Sequence, residues 1–203
     1  MSRGRQSKGR ALKKTIYIFT EGETEKNYFL ILNRKYNATV NVKVSIFHAH
    51  KQGMNLLRHA LGKINTLTKV EKKNLGGVYI IFDKDEIDKD EIHNVFRTAK
   101  SENIHIGFSN SCFEVWLLAH FEELNESHTK ERLYDRLEHY LKCEQYSKKH
   151  KNDKNLLMQI EDLVSTAMQN TAAMKDFSQI VIDSEPYTNI GKVIQGIYNK
   201  DMY

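Results

Sequence analysis

The spacing of hydrophobic and polar positions changes period repeatedly through the first half of the chain. TIYIFT (15–20) is apolar on both faces and stops at Glu21-Gly22, the pattern of a strand covered on both sides in a parallel sheet. From Thr24, a candidate N-cap, apolar residues fall at Tyr28, Phe29, Leu32 and Tyr36, which predicts a helix to about Tyr36. Within 38–47, Val40, Val42, Val44 and Ile46 alternate with polar partners, so a half-covered strand near a sheet edge is expected. A helix over 54–70 follows. VYIIF (78–82), entered through Gly76-Gly77 and closed by Asp83, is the strongest buried-strand signal, and a helix over 88–100 leads to a fourth strand, IHIGF (104–108).

Such alternation predicts an α/β fold with an open, mainly parallel sheet, right-handed crossovers and flanking helices. The second half reads as helical. SCFEVWLLAHFEEL (111–124), ERLYDRLEHYL (131–141), LLMQIEDLV (156–164) and TNIGKVIQGIY (188–198) all carry helical spacing, and the sole proline, Pro186, stands before a last helix capped by Thr188. The expected organisation is a flexible arm over 1–14, an α/β core over 15–125 and a helical extension over 126–203 packed on that core.

Composition narrows the class. Of 203 residues 40% are hydrophobic and 28% charged, which excludes collagen-like and wholly disordered chains. No apolar run approaches the ~20 residues of a membrane span, and the basic N-terminus has no apolar segment behind it to make a secretory signal. Two cysteines, Cys112 and Cys143, make neither a disulfide framework nor a zinc ribbon, so a reducing, cytoplasmic setting is expected. The net charge is +5, and residues 1–14 hold six cations (Arg3, Arg5, Lys8, Arg10, Lys13, Lys14) and no acid, so the rest of the chain stands at −1. A second basic stretch, 142–154, contains Lys148, Lys149 and Lys151. These two stretches are the candidate contacts for a nucleic-acid backbone, with a merely solubilising tail as the plain alternative for the arm.

The chemistry concentrates in TEGETE (20–25), after the first strand, and FDKDE (82–86), after the third. In an open parallel sheet, ligands bind beyond the C-terminal strand ends, where Glu21, Asp83 and Asp85 fall. Residues two apart in extended chain face one way, so Asp83 and Asp85 are expected to present both carboxylates together. Three converging carboxylates repel one another without a cation. Hard oxygen donors suit Mg²⁺ or Mn²⁺, which keeps waters and accepts a phosphate oxygen. The plain readings are a solvated turn for Asp-x-Asp and a helix-start acid for Glu21. A haloacid-type phosphatase shares the Asp-x-Asp spacing but carries it on its first strand, and a receiver domain distributes its acids differently.

Further along, Phe113, Trp116, Leu117, His120 and Phe121 share one helical face. Ser111-x-x-Glu114 has the spacing of a capping box. If another residue caps, Glu114 is placed to face the cleft. His120 is either a buried core histidine or a group near the scissile phosphate. His48 and His50, without thiolates, do not make a zinc site, although contact with substrate phosphate is open to His50 or Lys51. Lys84, between the aspartates, is expected to point away from them.

TEGETEKNYF (20–29), IFDKDE (81–86), SNSCFEVWLLAHF (109–121) and YTNIGKVI (187–194) together resemble the RloB-like family, Toprim-related proteins of bacterial restriction and phage-defence loci. Ser111 stands where the family pattern carries proline. The resemblance implies a Toprim-like core with Glu21 as general acid or base, Asp83 and Asp85 as metal ligands, Glu25 as a supporting acid and an acid retained at Glu114. It implies Mg²⁺-dependent (or Mn²⁺-dependent) phosphodiester hydrolysis of RNA, with tRNA among the candidates, or of DNA, beside a partner ATPase. The alternative is a non-catalytic nucleic-acid-binding or regulatory subunit of the same complex.

Overall fold

A computed structural model describes residues 13–37, 42–174, 182 and 186–198. Arg3, Arg5, Lys8 and Arg10 lie outside the described residues, as does the side chain of Lys148. The chain runs β1 (Lys14–Thr20), α1 (Glu23–Tyr36), β2 (Val42–His48), α2 (Gly53–Asn65), α3 (Lys69–Lys73), β3 (Leu75–Asp83), α4 (Lys89–Ser101) and β4 (His105–Asn110). It continues through α5 (Glu114–Leu118), α6 (Lys130–Leu141), a π-helical turn (Tyr146–His150), α7 (Lys154–Gln159), α8 (Val164–Thr171), β5 (Tyr187–Thr188) and α9 (Ile190–Tyr198). The strands form one sheet in the order β2-β1-β3-β4-β5. β1 to β4 are parallel, and β5 joins β4 antiparallel. This is the expected α/β architecture, with a two-residue strand added from the otherwise helical second half.

Period-two alternation divides the core. Ile16, Ile18, Tyr79 and Ile81 face a layer that includes α1, α5 to α9, while Phe19, Val78, Ile80 and Phe82 face α2 and α4. The chain leaves β1 towards β2 on one side and β3 towards β4 on the other. The strand order therefore reverses between β1 and β3, which opens a crevice beyond their C-terminal ends.

Several local expectations are corrected. The helix over 54–70 is two helices, because Thr68 and Glu71 form a reciprocal capping box that starts α3 afresh. Gly22, not Thr24, precedes α1 without a side-chain cap; the Thr24 hydroxyl is engaged elsewhere. The predicted box at Ser111-x-x-Glu114 does not form either: Phe113 precedes α5 with no side-chain cap, and Glu114 turns inward. Thr188 accepts from the Ile190 amide, as a cap should. Asn189 does something else, accepting from the Phe108 amide at 2.7 Å and donating to the Ile106 carbonyl at 2.9 Å, which fastens α9 to β4. Among the described residues no helix is long and apolar enough to cross a membrane.

Candidate active site

The crevice holds five carboxylates. Glu21 follows β1, and its amide extends the ladder to the Ile81 carbonyl at 3.0 Å, which sets Glu21 beside the end of β3. Glu21 Oε2 accepts from the Asp83 amide at 3.4 Å. Asp83, the last residue of β3, is buried; its Oδ2 accepts from the Phe113 amide at 2.9 Å, while Oδ1 has no hydrogen-bond partner among the described residues. Glu25 lies on the first turn of α1 and folds back over Gly22, where a Cβ would come within 2.5 Å of Glu25 Oε2. A side chain at position 22 would require the Glu25 carboxylate to shift. Glu114 is fully buried.

Asp85 departs from expectation. The chain turns after β3, with the Asp85 amide on the Ser111 carbonyl at 3.2 Å and its backbone left-handed at φ 35°, so Asp83 points inward while Asp85 lies towards solvent. The extended-chain pairing of the two aspartates is therefore replaced by one buried and one exposed carboxylate. Asp85 still acts on both Glu21 and Asp83 through its charge.

Burial dominates the electrostatics. It pushes Glu21 up to about 7, with Asp85 adding to the rise while the Asp83 amide and two lysines oppose it. Glu25 is likewise pushed up to about 7 by burial, helped by the charges of Glu114 and Glu21. Asp83 is raised well above the carboxylate range by burial and by Glu25, Glu114, Glu21 and Asp85. Carboxyls brought together in a poorly solvated pocket favour protonation or a cation.

Two lysines supply positive charge. Lys130, at the start of α6, pairs with Asp85. Lys151 stands 3.2 Å from Glu114 Oε1 and 5.6 Å from the Tyr134 ring centroid. Burial works against the Lys151 charge, but Glu114 and Tyr134 outweigh it and raise its pKa. Its segment is tied to α1: Thr24 donates to the Asn152 side chain at 2.7 Å, and Asn27 donates to the Asn152 carbonyl at 3.0 Å. Lys151, expected on a solvated basic loop, is thus part of the carboxylate centre. Lys130 is a contact that sequence reading missed; it lies 45 residues from Asp85, and no motif connects them.

The remaining expectations divide. His120 is buried, with Nε2 on the Tyr28 hydroxyl at 3.0 Å and Nδ1 on the Trp116 carbonyl at 3.0 Å; burial lowers its pKa to about 4. Both ring nitrogens serve the core, so the placement near a scissile phosphate is corrected. Lys84 points away from the acids, as expected, and reaches the Ile182 carbonyl. Lys149 is exposed on the π-helical turn. Lys13 precedes β1 and Lys14 begins it, whereas Glu21 lies just past its other end. At about 3.3 Å per residue, the two ends of this strand are roughly 20 Å apart. The root of the arm is therefore remote from the carboxylates.

The donors suit a hard divalent cation in kind, and the partnerless Asp83 Oδ1 and Glu25 Oε2 are the oxygens such an ion would satisfy. Among the described residues, however, no three His, Cys, Asp or Glu side chains stand arranged to hold one. Ligation by Glu21, Asp83 and Asp85 accordingly requires side-chain movement.

A family model described as RloB-like protein matches residues 16–197. No curated protein and no solved structure matches the chain.

Proposed function

The chain belongs to the RloB-like family, and on that footing we propose that it is a divalent-metal-dependent phosphodiesterase acting on RNA, tRNA among the candidates, or DNA in bacterial anti-phage defence. The observation that carries the reading is the buried carboxylate set at the crevice between β1 and β3, with oxygens that no group among the described residues satisfies. Glu21, Asp83 and Asp85 would hold Mg²⁺ or Mn²⁺, with Glu25 and Glu114 behind them. When bound, such an ion polarises a phosphoryl oxygen and activates water.

The chain's own groups divide the remaining work. The Phe113 amide fixes the Asp83 carboxylate through Oδ2 and leaves Oδ1 directed elsewhere. Glu21 accepts from the Asp83 amide through Oε2; in the metal-free protein burial raises its carboxyl to about 7, so it exchanges a proton near neutral pH, and with the cation bound the carboxylate would serve as a ligand. Lys130 and Lys151 reduce the negative charge that would repel an incoming phosphate. Lys149 and the arm supply longer-range attraction.

A second reading is a non-catalytic nucleic-acid-binding or regulatory subunit of an ATPase-containing complex in the cytoplasm. What favours it is the pairing of Lys130 and Lys151 with carboxylates in a centre where no three described ligands are arranged for a metal. The test is incubation with tRNA and with duplex DNA, with and without Mg²⁺ or Mn²⁺, alone and with the partner ATPase. The nuclease reading expects metal-dependent cleavage abolished by Glu21→Ala and by Asp83→Ala in folded protein. Cleavage indifferent to both substitutions, or none under any of these conditions, refutes it.

A further inference from the structure

The crevice has a rim on the β2 side. His48 closes β2 in register with Thr20, directly beside the point where β1 delivers Glu21, and its ring also lies against the Glu21 backbone. Two residues on, the chain turns back with His50 in the left-handed region at φ 50°. That conformation is unfavourable for a residue with a Cβ. Here it lays the His50 ring over the His48 ring, centroids 3.7 Å apart and planes inclined at 43°. His48 is half-buried and His50 exposed, with Lys51 following and both Glu23 and Lys26 near enough to act on His48 by charge. Two imidazole rings in tilted contact at the lip of an acidic crevice, with ammonium groups beside them, offer the two elements that hold single-stranded nucleic acid: an aromatic face for a base and cations for its backbone.

We infer that His48 and His50 form a stacking platform for one unpaired base, so that the crevice takes single-stranded or looped nucleic acid in preference to continuous duplex. This rests on the reading that the protein binds nucleic acid. A base within a duplex has both faces covered by its neighbours, whereas an unpaired base offers its face to the rings. Adjacent strands lie about 4.8 Å apart, so a base seated on this pair stands one strand from the end of β1, which delivers Glu21.

The test is fluorescence anisotropy of the full chain in EDTA, with a short fluorescein-labelled RNA single strand and with the same strand annealed to its complement. His48→Ala and His50→Gly are compared with His139→Ala, which removes an exposed ring on α6. Glycine at 50 accepts the left-handed backbone, so that variant loses the ring without loss of thermal stability. Each of the first two should weaken single-strand binding on the order of 10- to 100-fold and leave duplex binding unchanged, with no effect from His139→Ala. Unchanged single-strand affinity overturns the platform. So does equal weakening on both probes, or failure of the wild type to prefer the single strand. Because the assay contains no metal, absence of cleavage in Mg²⁺ or Mn²⁺ alongside the expected binding pattern strikes the catalytic reading alone. Normal cleavage with unaltered variant binding strikes the platform alone.

Discussion

Glu25→Gln removes one buried charge from the carboxylate centre while keeping the shape of the side chain. In the folded chain the Glu25 carboxyl is pushed up to about 7, first by burial and then by Glu114 and Glu21, against an ordinary value of 4.5. A carboxyl with its folded pKa above its unfolded one contributes stability that is complete below about 4.5 and is lost as pH rises through about 7. At 1.36 kcal/mol per pH unit, the difference amounts to about 3 kcal/mol. The metal-free wild type should therefore lose that much relative to Glu25→Gln between pH 5 and 8. For a chain of 203 residues, about 2–4 °C of Tm accompanies each kcal/mol, so the variant should melt roughly 6–12 °C higher at pH 8 and nearly together with the wild type at pH 5. The difference between the two proteins is the quantity to follow. Burial lowers His120 to about 4, and its neutral form gives both proteins a contribution of opposite slope below about 6.5. Differential scanning fluorimetry in EDTA across this range measures the gap. A gap that stays constant or shrinks with rising pH, or a variant that melts lower at pH 8, would refute the claim that Glu25 is held against its charge.

Lys151→Met leaves fully buried Glu114 without its counter-ion and should cost about 2–3 kcal/mol in urea denaturation, whereas Lys151→Met with Glu114→Gln should recover most of it. Equal loss in the single and double variants would show that the pair is not what Lys151 contributes. Gly22→Ala should lower the unfolding free energy measured in urea by about 1–2 kcal/mol, since its Cβ would meet Glu25 Oε2 at 2.5 Å; an unchanged free energy would mean Glu25 moves aside at no cost. His120→Ala opens a cavity and strips the Tyr28 hydroxyl of its partner, so it should lower Tm while leaving single-strand binding per folded molecule unchanged.

The sheet and its order of elements were legible because β1 and β3 are buried on both faces and α1, α2 and α4 carry clear apolar stripes. The positions of Glu21 and Asp83 followed, since a parallel sheet directs the residues after β1 and β3 into one crevice. The relation of Asp83 to Asp85 did not follow. It depends on the left-handed backbone at Asp85 and on the Ser111 carbonyl, which arrives from beyond β4. Spacing alone likewise offered Glu114 a capping box that the packing of α5 denies it.

By itself, then, the sequence determined the alternating elements, the family and two of the carboxylate stations, because periodicity and short motifs are properties of neighbouring residues. Only the tertiary structure decided which charges face one another. Lys151 reaches Glu114 because Thr24 and Asn27 hold its segment, and Lys130 reaches Asp85 from the start of α6. His120 is removed from the chemistry because it is buried and Tyr28, 92 residues away, engages its ring within the core. Each of these outcomes is set by burial and by partners distant along the chain, and a linear pattern does not encode either.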